Sequence, residues 1–267
     1  MAYETVLFEQ SAEDKVATVT INRPEASNSF NAKMCEEFAS VWEHVKHDET
    51  IHAVVVRAAP GRFFCPGVDV RRGPEGGNVL GYKDPFAQID PGERLGPKGN
   101  RCWKPVITAV HGICAGGAFY WINESDIVIC SEDATFFDPH VTYGMVAALE
   151  PIGATHVMPL QQVLRMALLG NDERIGAETA LKISLVTEVV KLDNLWKRAH
   201  DLATTIAAKP SIATQGTVRA IWESLDVGRR PALERGMYYT HVGNAIGTAQ
   251  VSRDAVMGVK SKKFDVR

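Results

Sequence analysis

An α/β fold, a spiral of β-β-α turns followed by a helical C-terminal region, is what the sequence predicts, on three observations. Short β-branched runs such as Ala53 to Arg57 and Val106 to Val110 read as buried strands. Glycine-bearing turns and short amphipathic helices follow them in a recurring order, although no sequence repeat is visible, and that rhythm suits the stacked turns of a spiral. From Leu195 onward the pattern is helical throughout, which places a division after residue 194 and separates a 1–194 core from a 195–267 helical region.

Thr5 to Phe8 and Val16 to Ile21 flank the polar stretch Ser11 to Lys15 and predict a hairpin, ended by Asn22-Arg23-Pro24. Asn28 or Asn31 can cap a helix running to about Lys46, with Met34, Phe38, Val41, Trp42 and Val45 on one face. The glycine- and proline-dense stretch Gly73 to Gly99 predicts an irregular excursion with little helix, and loops of that length are uncommon unless they are functional or disordered. Pro105 to Gly144 then compresses strand, glycine turn, a helix over Ala118 to Ser125, a strand over Asp126 to Cys130 and a polar loop around Asp138-Pro139-His140. Arg174 to Leu181 is a short amphipathic helix leading to a strand at Val186 to Val190. Helices over Leu195 to Ala208, Ser211 to Leu225 and Ala232 to about Ala245 complete the chain, with Pro210 and Pro231 at helix starts.

A chain of 267 residues with 45% hydrophobic content can bury a full core. Its formal charge of −3 gives no basic field for nucleic acid. Five cysteines, odd in number and without CxxC spacing, disfavour a disulfide framework and a zinc site and point to a reducing cytoplasm. No basic-then-apolar leader and no apolar run of membrane-spanning length is present, so a soluble protein is expected. Scattered histidines such as His111 and His156 read as packing or capping residues, and no metal site is expected.

The amides around Gly116 and Gly117 fall at a predicted helix N-terminus, where unpaired N–H groups favour a developing negative charge. Upstream, Gly61 to Val70 (GRFFCPGVDV) supplies a second glycine turn, and Ile21-Asn22-Arg23-Pro24 a third punctuated segment. In this order, from about Val16 to the C-terminus, the three resemble the motifs of the crotonase, or enoyl-CoA hydratase/isomerase, superfamily. Between Gly144 and Gly170 the match weakens and residue-by-residue transfer stops.

The resemblance implies a crotonase-like spiral core and a C-terminal helical oligomerisation region, assembling a homotrimer or a hexamer of two trimers. The faces bearing Leu202, Ile206, Ile221 and Trp222 would then pack between subunits. It implies an acyl-CoA substrate, with coenzyme A present only as part of that substrate and no separate cofactor. The Val68 and Gly117 N–H groups would form an oxyanion hole for the thioester oxygen. Ala26, Ser27, the Val68 to Arg71 backbone with Asp69, and Arg71 would contact the CoA moiety, helped by Lys260, Lys262 and Lys263. Glu25 departs from the pattern, standing where hydratases often keep a lysine. Gly73 to Gly99 would wall the acyl pocket, with Tyr238 and Tyr239 in a region that closes over the acyl group in some relatives.

A larger departure concerns catalysis. Tyr120 and His140 occupy the two positions at which hydratases carry glutamates. An imidazole titrating near 6.5 suits acid–base work at neutral pH, whereas a phenol near 10 does not. His140 is therefore the candidate base and Tyr120 a hydrogen-bond donor or pocket wall. Glu124, one helical turn beyond Tyr120, and Glu150, in the altered segment, are the carboxylates that can compensate. Three functions stay open: an acyl-CoA lyase or isomerase that hydrates simple enoyl-CoA poorly unless Glu124 or Glu150 reaches the pocket, a C–C bond (β-diketone) hydrolase of the same superfamily, and a non-catalytic acyl-CoA-binding protein.

Overall fold

The computed structural model describes residues 3–71, 85–87, 89–257 and 266. Its elements are β1 (Val6–Ser11), β2 (Val16–Ile21), α1 (Ala32–His47), β3 (Ala53–Ala58), β4 (Phe63–Cys65), α2 (Gly92–Leu95), β5 (Val106–Val110), β6 (Ile113–Ala115), α3 (Phe119–Asn123), β7 (Ile127–Ser131), β8 (Thr135–Phe137), α4 (Leu149–Ala154), α5 (Leu160–Leu169), β9 (Ile175–Gly176), α6 (Ala177–Lys182), β10 (Glu188–Val190), α7 (Leu192–Ala207), α8 (Ser211–Glu223), α9 (Arg229–Ala249) and α10 (Arg253–Met257).

From β3 to β8 successive strands alternate between two sheets. A six-stranded sheet has the order β1-β2-β3-β5-β7-β10 and a four-stranded sheet the order β4-β6-β8-β9. Each turn of the spiral thus places one strand in each sheet. All pairings are parallel except β1 with β2 and β8 with β9. The expected β-β-α rhythm is present. The strands of the second sheet are only two or three residues long, and the sequence reading took Phe63–Cys65, Ile113–Ala115 and Thr135–Phe137 for turn and loop.

The main core gathers α1 and α3 with the inner strands, around Phe38, Trp42, Phe64, Phe119, Trp121 and Phe136. Phe30, Phe38 and Phe64 surround Trp121 with ring centroids 5.1–6.3 Å away. Asn31, not Asn28, caps α1, accepting the Met34 N–H at 2.9 Å. Trp42 Nε1–H donates to the Leu95 carbonyl at 2.8 Å and anchors the end of α2 to α1. Buried Lys104 closes the C-terminal end of α1 by donating Nζ–H to the carbonyls of Val45 and Asp48.

Two compact units divide at Ala208/Lys209. The boundary expected after residue 194 falls inside α7, because Leu195, Ala199, Ala203 and Ala207 bury one face of that helix on Val55, Ile107 and Ile129 of the large sheet. Leu202 and Ile206 are partly buried beside the same cluster. In the second unit α8 and α9 pack together, with Gly247 facing Ile212 and Ala213, and Ile221 stays 61% exposed. No described helix is long and apolar enough to cross a membrane. All five cysteines are unpaired and buried.

Phe38→Ala removes a fully buried ring from the aromatic core and is expected to lower unfolding free energy by about 3–5 kcal/mol. The check is a lower denaturant midpoint at unchanged slope.

Candidate active site

Beyond β4 the chain forms a parallel bridge with Phe30: Phe30 N–H donates to the Gly67 carbonyl at 3.0 Å and Asp69 N–H to the Phe30 carbonyl at 2.8 Å. Val68 N–H, lying between them, is turned away from Phe30, as alternation along a parallel ladder requires. Gly67 has φ +98°, and a Cβ built there would stand 3.0 Å from the Gly117 nitrogen. The backbone preceding Val68 therefore touches the Gly117 amide. Gly117 lies in a 3-10 turn, Gly116–Ala118, that leads into α3, so its N–H belongs to the unpaired set of a helix start. Among the described residues, neither the Val68 nor the Gly117 N–H donates to a backbone carbonyl.

Beside this pair the chain gathers ionisable groups. His140 opens a 3-10 turn (His140–Tyr143) after β8. Its backbone N–H donates to Asp138 Oδ1 at 3.0 Å and its Nδ1–H to the same oxygen at 2.7 Å, an Asx-type turn that fixes the imidazole. His140 Cε1 lies 3.8 Å from where a Cβ on Gly116 would stand, which sets the ring next to the amide pair. On its other side His140 Nε2 is 3.9 Å from Glu150 Oε1. Asp138 is fully buried, and among the described residues its Oδ2 has no hydrogen-bond partner.

Glu150 sits in the first turn of α4, held by Asn123, whose Nδ2–H donates to the Glu150 carbonyl at 2.8 Å. The phenol of Tyr120 faces the carboxylates of both Glu150 and Asp90. Asp90 reaches the cluster from the turn before α2, where its Oδ1 accepts the Gly92 N–H at 3.0 Å. The hydrogen bond that His140 donates to the Asp138 carboxylate raises the proton affinity of the imidazole above its ordinary value. Burial, reinforced by Asp138 and Asp90, raises that of Glu150. Burial and the two facing carboxylates keep Tyr120 protonated.

Tyr120, His140 and Glu150 are thus brought together, and Glu124 is not. Its Oε2 accepts the Lys98 N–H at 2.6 Å and the Gly99 N–H at 2.9 Å, because α3 ends at Asn123 and turns residue 124 toward the 96–99 segment. Among the described residues no hydrogen bond or ion pair joins Glu124 to His140 or Glu150. Asp138, Asp90 and Asn123 were not singled out in the sequence. Only Asp138 carried a signal, since Asp two residues before His is Asx-turn spacing. Asp138, His140 and Glu150 each offer a ligand atom within 4.8 Å of the others, a grouping that the scattered histidines did not suggest. The Asp138–His140 hydrogen bond engages two of those donors with each other.

On the side expected to meet CoA, Pro24–Ala26 forms a 3-10 turn, with Ala26 buried and Ser27 and Asn28 at φ 56° and 62°. Asn28 holds this turn to the start of β4 by donating to the Phe63 carbonyl at 3.0 Å. The Asp69 carboxylate takes Arg71 Nε–H at 2.9 Å and Nη2–H at 2.7 Å, and Arg23 Nη2–H at 3.0 Å. These guanidinium contacts, Arg71 foremost, hold its carboxyl well below the usual range. Asp69 therefore orients Arg71, whose side chain is 60% exposed. Lys260 and the stretch 72–84 lie outside the described residues.

A sequence profile described as enoyl-CoA hydratase/isomerase matches residues 11–241. The chain is 31% identical over 229 residues to (E)-benzylidenesuccinyl-CoA hydratase of Thauera aromatica, covering 85% of each chain. It is 31% identical to 1,2-epoxyphenylacetyl-CoA isomerase of Escherichia coli, covering 74% of this chain and 75% of that one. A crystal structure of an enoyl-CoA hydratase/isomerase from Mycobacterium paratuberculosis superposes with a TM-score of 0.79 at 33% identity, covering 96% of this chain and 94% of the other.

The His140 imidazole is expected to titrate above 6.5, and Asp138→Asn to bring it down by removing the accepting carboxylate. NMR titration of the histidine ring signals reads both values.

Proposed function

Because the chain belongs to the enoyl-CoA hydratase/isomerase family, we propose that it carries out acid–base chemistry at the α- and β-carbons of an unsaturated or β-hydroxylated acyl-CoA thioester. In this reading the Val68 and Gly117 amides hold the thioester oxygen as it gains enolate charge, and each donor contributes about 3 kcal/mol. The observation that carries the proposal is the His140–Glu150 approach at 3.9 Å beside those amides. Hydration and double-bond migration both need one acid and one base near adjacent carbons. A coupled pair that shares a single proton supplies one of each, whichever partner holds it.

For hydration, the basic partner takes a proton from water as the water oxygen bonds the β-carbon, and the acidic partner delivers a proton to the α-carbon. Proton transfer between the two restores the pair, so no net proton is consumed. The condition under which simple hydration keeps its rate, a second acid–base group in the pocket, is supported for Glu150. Its engagement by two backbone amides argues against the same role for Glu124. CoA would lie along the 24–28 turn, with Arg71 toward its phosphates and Asp69 fixing the guanidinium.

One observation favours a second reading, C–C bond hydrolysis. The Asp138–His140 dyad abuts Gly116, so a water activated by the imidazole would stand near a carbonyl held by the amide pair. The two readings separate by substrate, since a β-diketone hydrolase of this kind turns over a CoA-free diketone. A cytoplasmic homotrimer, or a hexamer of two trimers, is part of the proposal. The exposed Ile221, Leu233, Met237 and Ile246 of the second unit are apolar surface of the kind subunit contact covers.

With crotonyl-CoA, His140→Ala and Glu150→Gln are each expected to cut kcat by about 10²- to 10⁴-fold. Unchanged rates in both variants would overturn the assignment. Chelation by EDTA is expected to leave the rate unaltered. The active pair holds one proton, so activity falls at low pH as the second member protonates, on a limb above the ordinary carboxylate range because Glu150 is raised. It falls again as pH rises through the raised value of His140, and Asp138→Asn moves that alkaline limb to lower pH. Sedimentation is expected to give a trimer or larger, and a stable monomer at micromolar concentration would refute the assembly.

A further inference from the structure

The hydrogen bonds of His140 fix its tautomer. Its Nδ1–H and its backbone N–H both donate to Asp138 Oδ1, at 2.7 and 3.0 Å, so the neutral ring carries its lone pair on Nε2. Among the described residues no hydrogen bond engages Nε2, and Glu150 Oε1 on that side stands 3.9 Å away, beyond hydrogen-bond reach. The side chain is 22% exposed, so solvent meets the ring. Cε1, which is bonded to Nε2, lies 3.8 Å from where a Cβ of Gly116 would stand, and Gly116, at φ +51°, has none. The Nε2 edge of the ring is thus set beside the residue that precedes the unpaired Gly117 N–H. The charged groups facing His140 are Asp138 from its own turn and Glu150 from α4. A buried carboxylate behind an imidazole, with the free nitrogen next to amides that can hold a carbonyl oxygen, is an arrangement that activates oxygen nucleophiles for acyl transfer.

We propose that this site has a second activity, hydrolysis of the thioester bond of an acyl-CoA that carries neither a double bond nor a β-hydroxyl group. Hydration and elimination are closed to such a substrate, and its carbonyl carbon is the electrophile that remains. His140 Nε2 takes a proton from water as the water oxygen bonds that carbon, and the carbonyl electron pair moves to the oxygen held by the Val68 and Gly117 amides. When the tetrahedral intermediate collapses, the C–S bond breaks, and the sulfur leaves with its electron pair and takes the proton from Nε2. Sulfur leaves readily, since an ordinary thiol ionises at about 8.5. One water is consumed, the products are a carboxylic acid and the CoA thiol, and His140 returns to its starting state. Asp138 is a positioning residue here, acting through the imidazole. The inference rests on the reading that the two amides hold the thioester oxygen. It asks nothing of Glu150, because one base that returns its own proton suffices, whereas hydration needs an acid and a base together.

The full-length protein is incubated with butyryl-CoA and thiol release is followed with a chromogenic disulfide, in parallel with hydration of crotonyl-CoA. All five cysteines of the chain are buried, which keeps the protein's own thiols out of the signal. Wild-type protein is expected to release thiol above the buffer rate, and His140→Ala and His140→Gln to lower that release by about 10²- to 10⁴-fold. Glu150→Gln is expected to lower hydration on the same scale and thiol release by less than about tenfold. Thiol release needs the neutral imidazole, so it rises with pH through the raised value of His140 and persists where hydration falls. Asp138→Asn is expected to lower the release by about 10²-fold or more and to move its rising limb to lower pH, a shift that mere loss of structure does not produce. Should Asp138→Asn fail to fold, the His140 and Glu150 variants decide alone. Wild-type protein that hydrates crotonyl-CoA and releases no thiol, or release that survives both His140 variants, refutes the hydrolysis and leaves the hydration reading standing. Protein that does neither overturns the amide reading and the hydrolysis with it.

Discussion

With no side chain at Gly67, β4 and the start of α3 can approach until backbone meets backbone, and the rest of the site is arranged around that contact. At φ +98° and 3.0 Å from the Gly117 nitrogen, any Cβ would be both conformationally strained and crowded. The parallel pairing of Cys65 with Cys114 brings the two strand ends level, and the Phe30 bridge turns Val68 N–H to the side away from its partner. Two amides left unpaired by different elements thereby become neighbours. A spiral that returns a strand to the same small sheet on each turn makes this possible, because consecutive turns place their strand ends at one edge.

The same edge explains the carboxylates. β8, the next strand of the small sheet, ends beside β6, and the Asx turn of Asp138 starts there. α4 is drawn to α3 by Asn123, whose amide also fills the space over Gly153. His140 and Glu150 meet because β8 and α4 are both pinned to the element that carries Gly117. Burying acidic groups together is costly unless protons or partners neutralise them. Here the cost appears as the raised proton affinity of Glu150, while the hydrogen bond to Asp138 raises that of His140.

Elsewhere, buried charge is satisfied structurally. Glu37 accepts from the Glu4 and Thr5 amides and the Thr5 hydroxyl, tying the N-terminal strand to α1. Lys104 and Glu124 likewise spend their charges on backbone groups. Asp138 differs from these groups, because among the described residues its second carboxylate oxygen has no partner.

Much of this was legible in the chain itself. Val106 to Val110 and Val16 to Ile21 announce strands through β-branched runs long enough to show a pattern, and α1 through the 3.6-residue spacing of Met34, Phe38, Val41, Trp42 and Val45. The three motifs resembling the enoyl-CoA hydratase/isomerase family identified it in advance of any coordinates. What periodicity could not reveal is the second sheet. Strands of two or three residues carry no alternation and exist only because parallel neighbours supply their hydrogen bonds. The same limit applies to the site. Glu124, by its spacing from Tyr120, and Glu150, by its place in the altered segment, were both candidates, and only the end of α3 at Asn123 and the docking of α4 separate them, one held by backbone amides and the other set against His140. Local sequence determines which segments bend, cap and bury. Which carboxylate meets which histidine is decided by contacts between elements far apart in the chain, and only packing sets those distances.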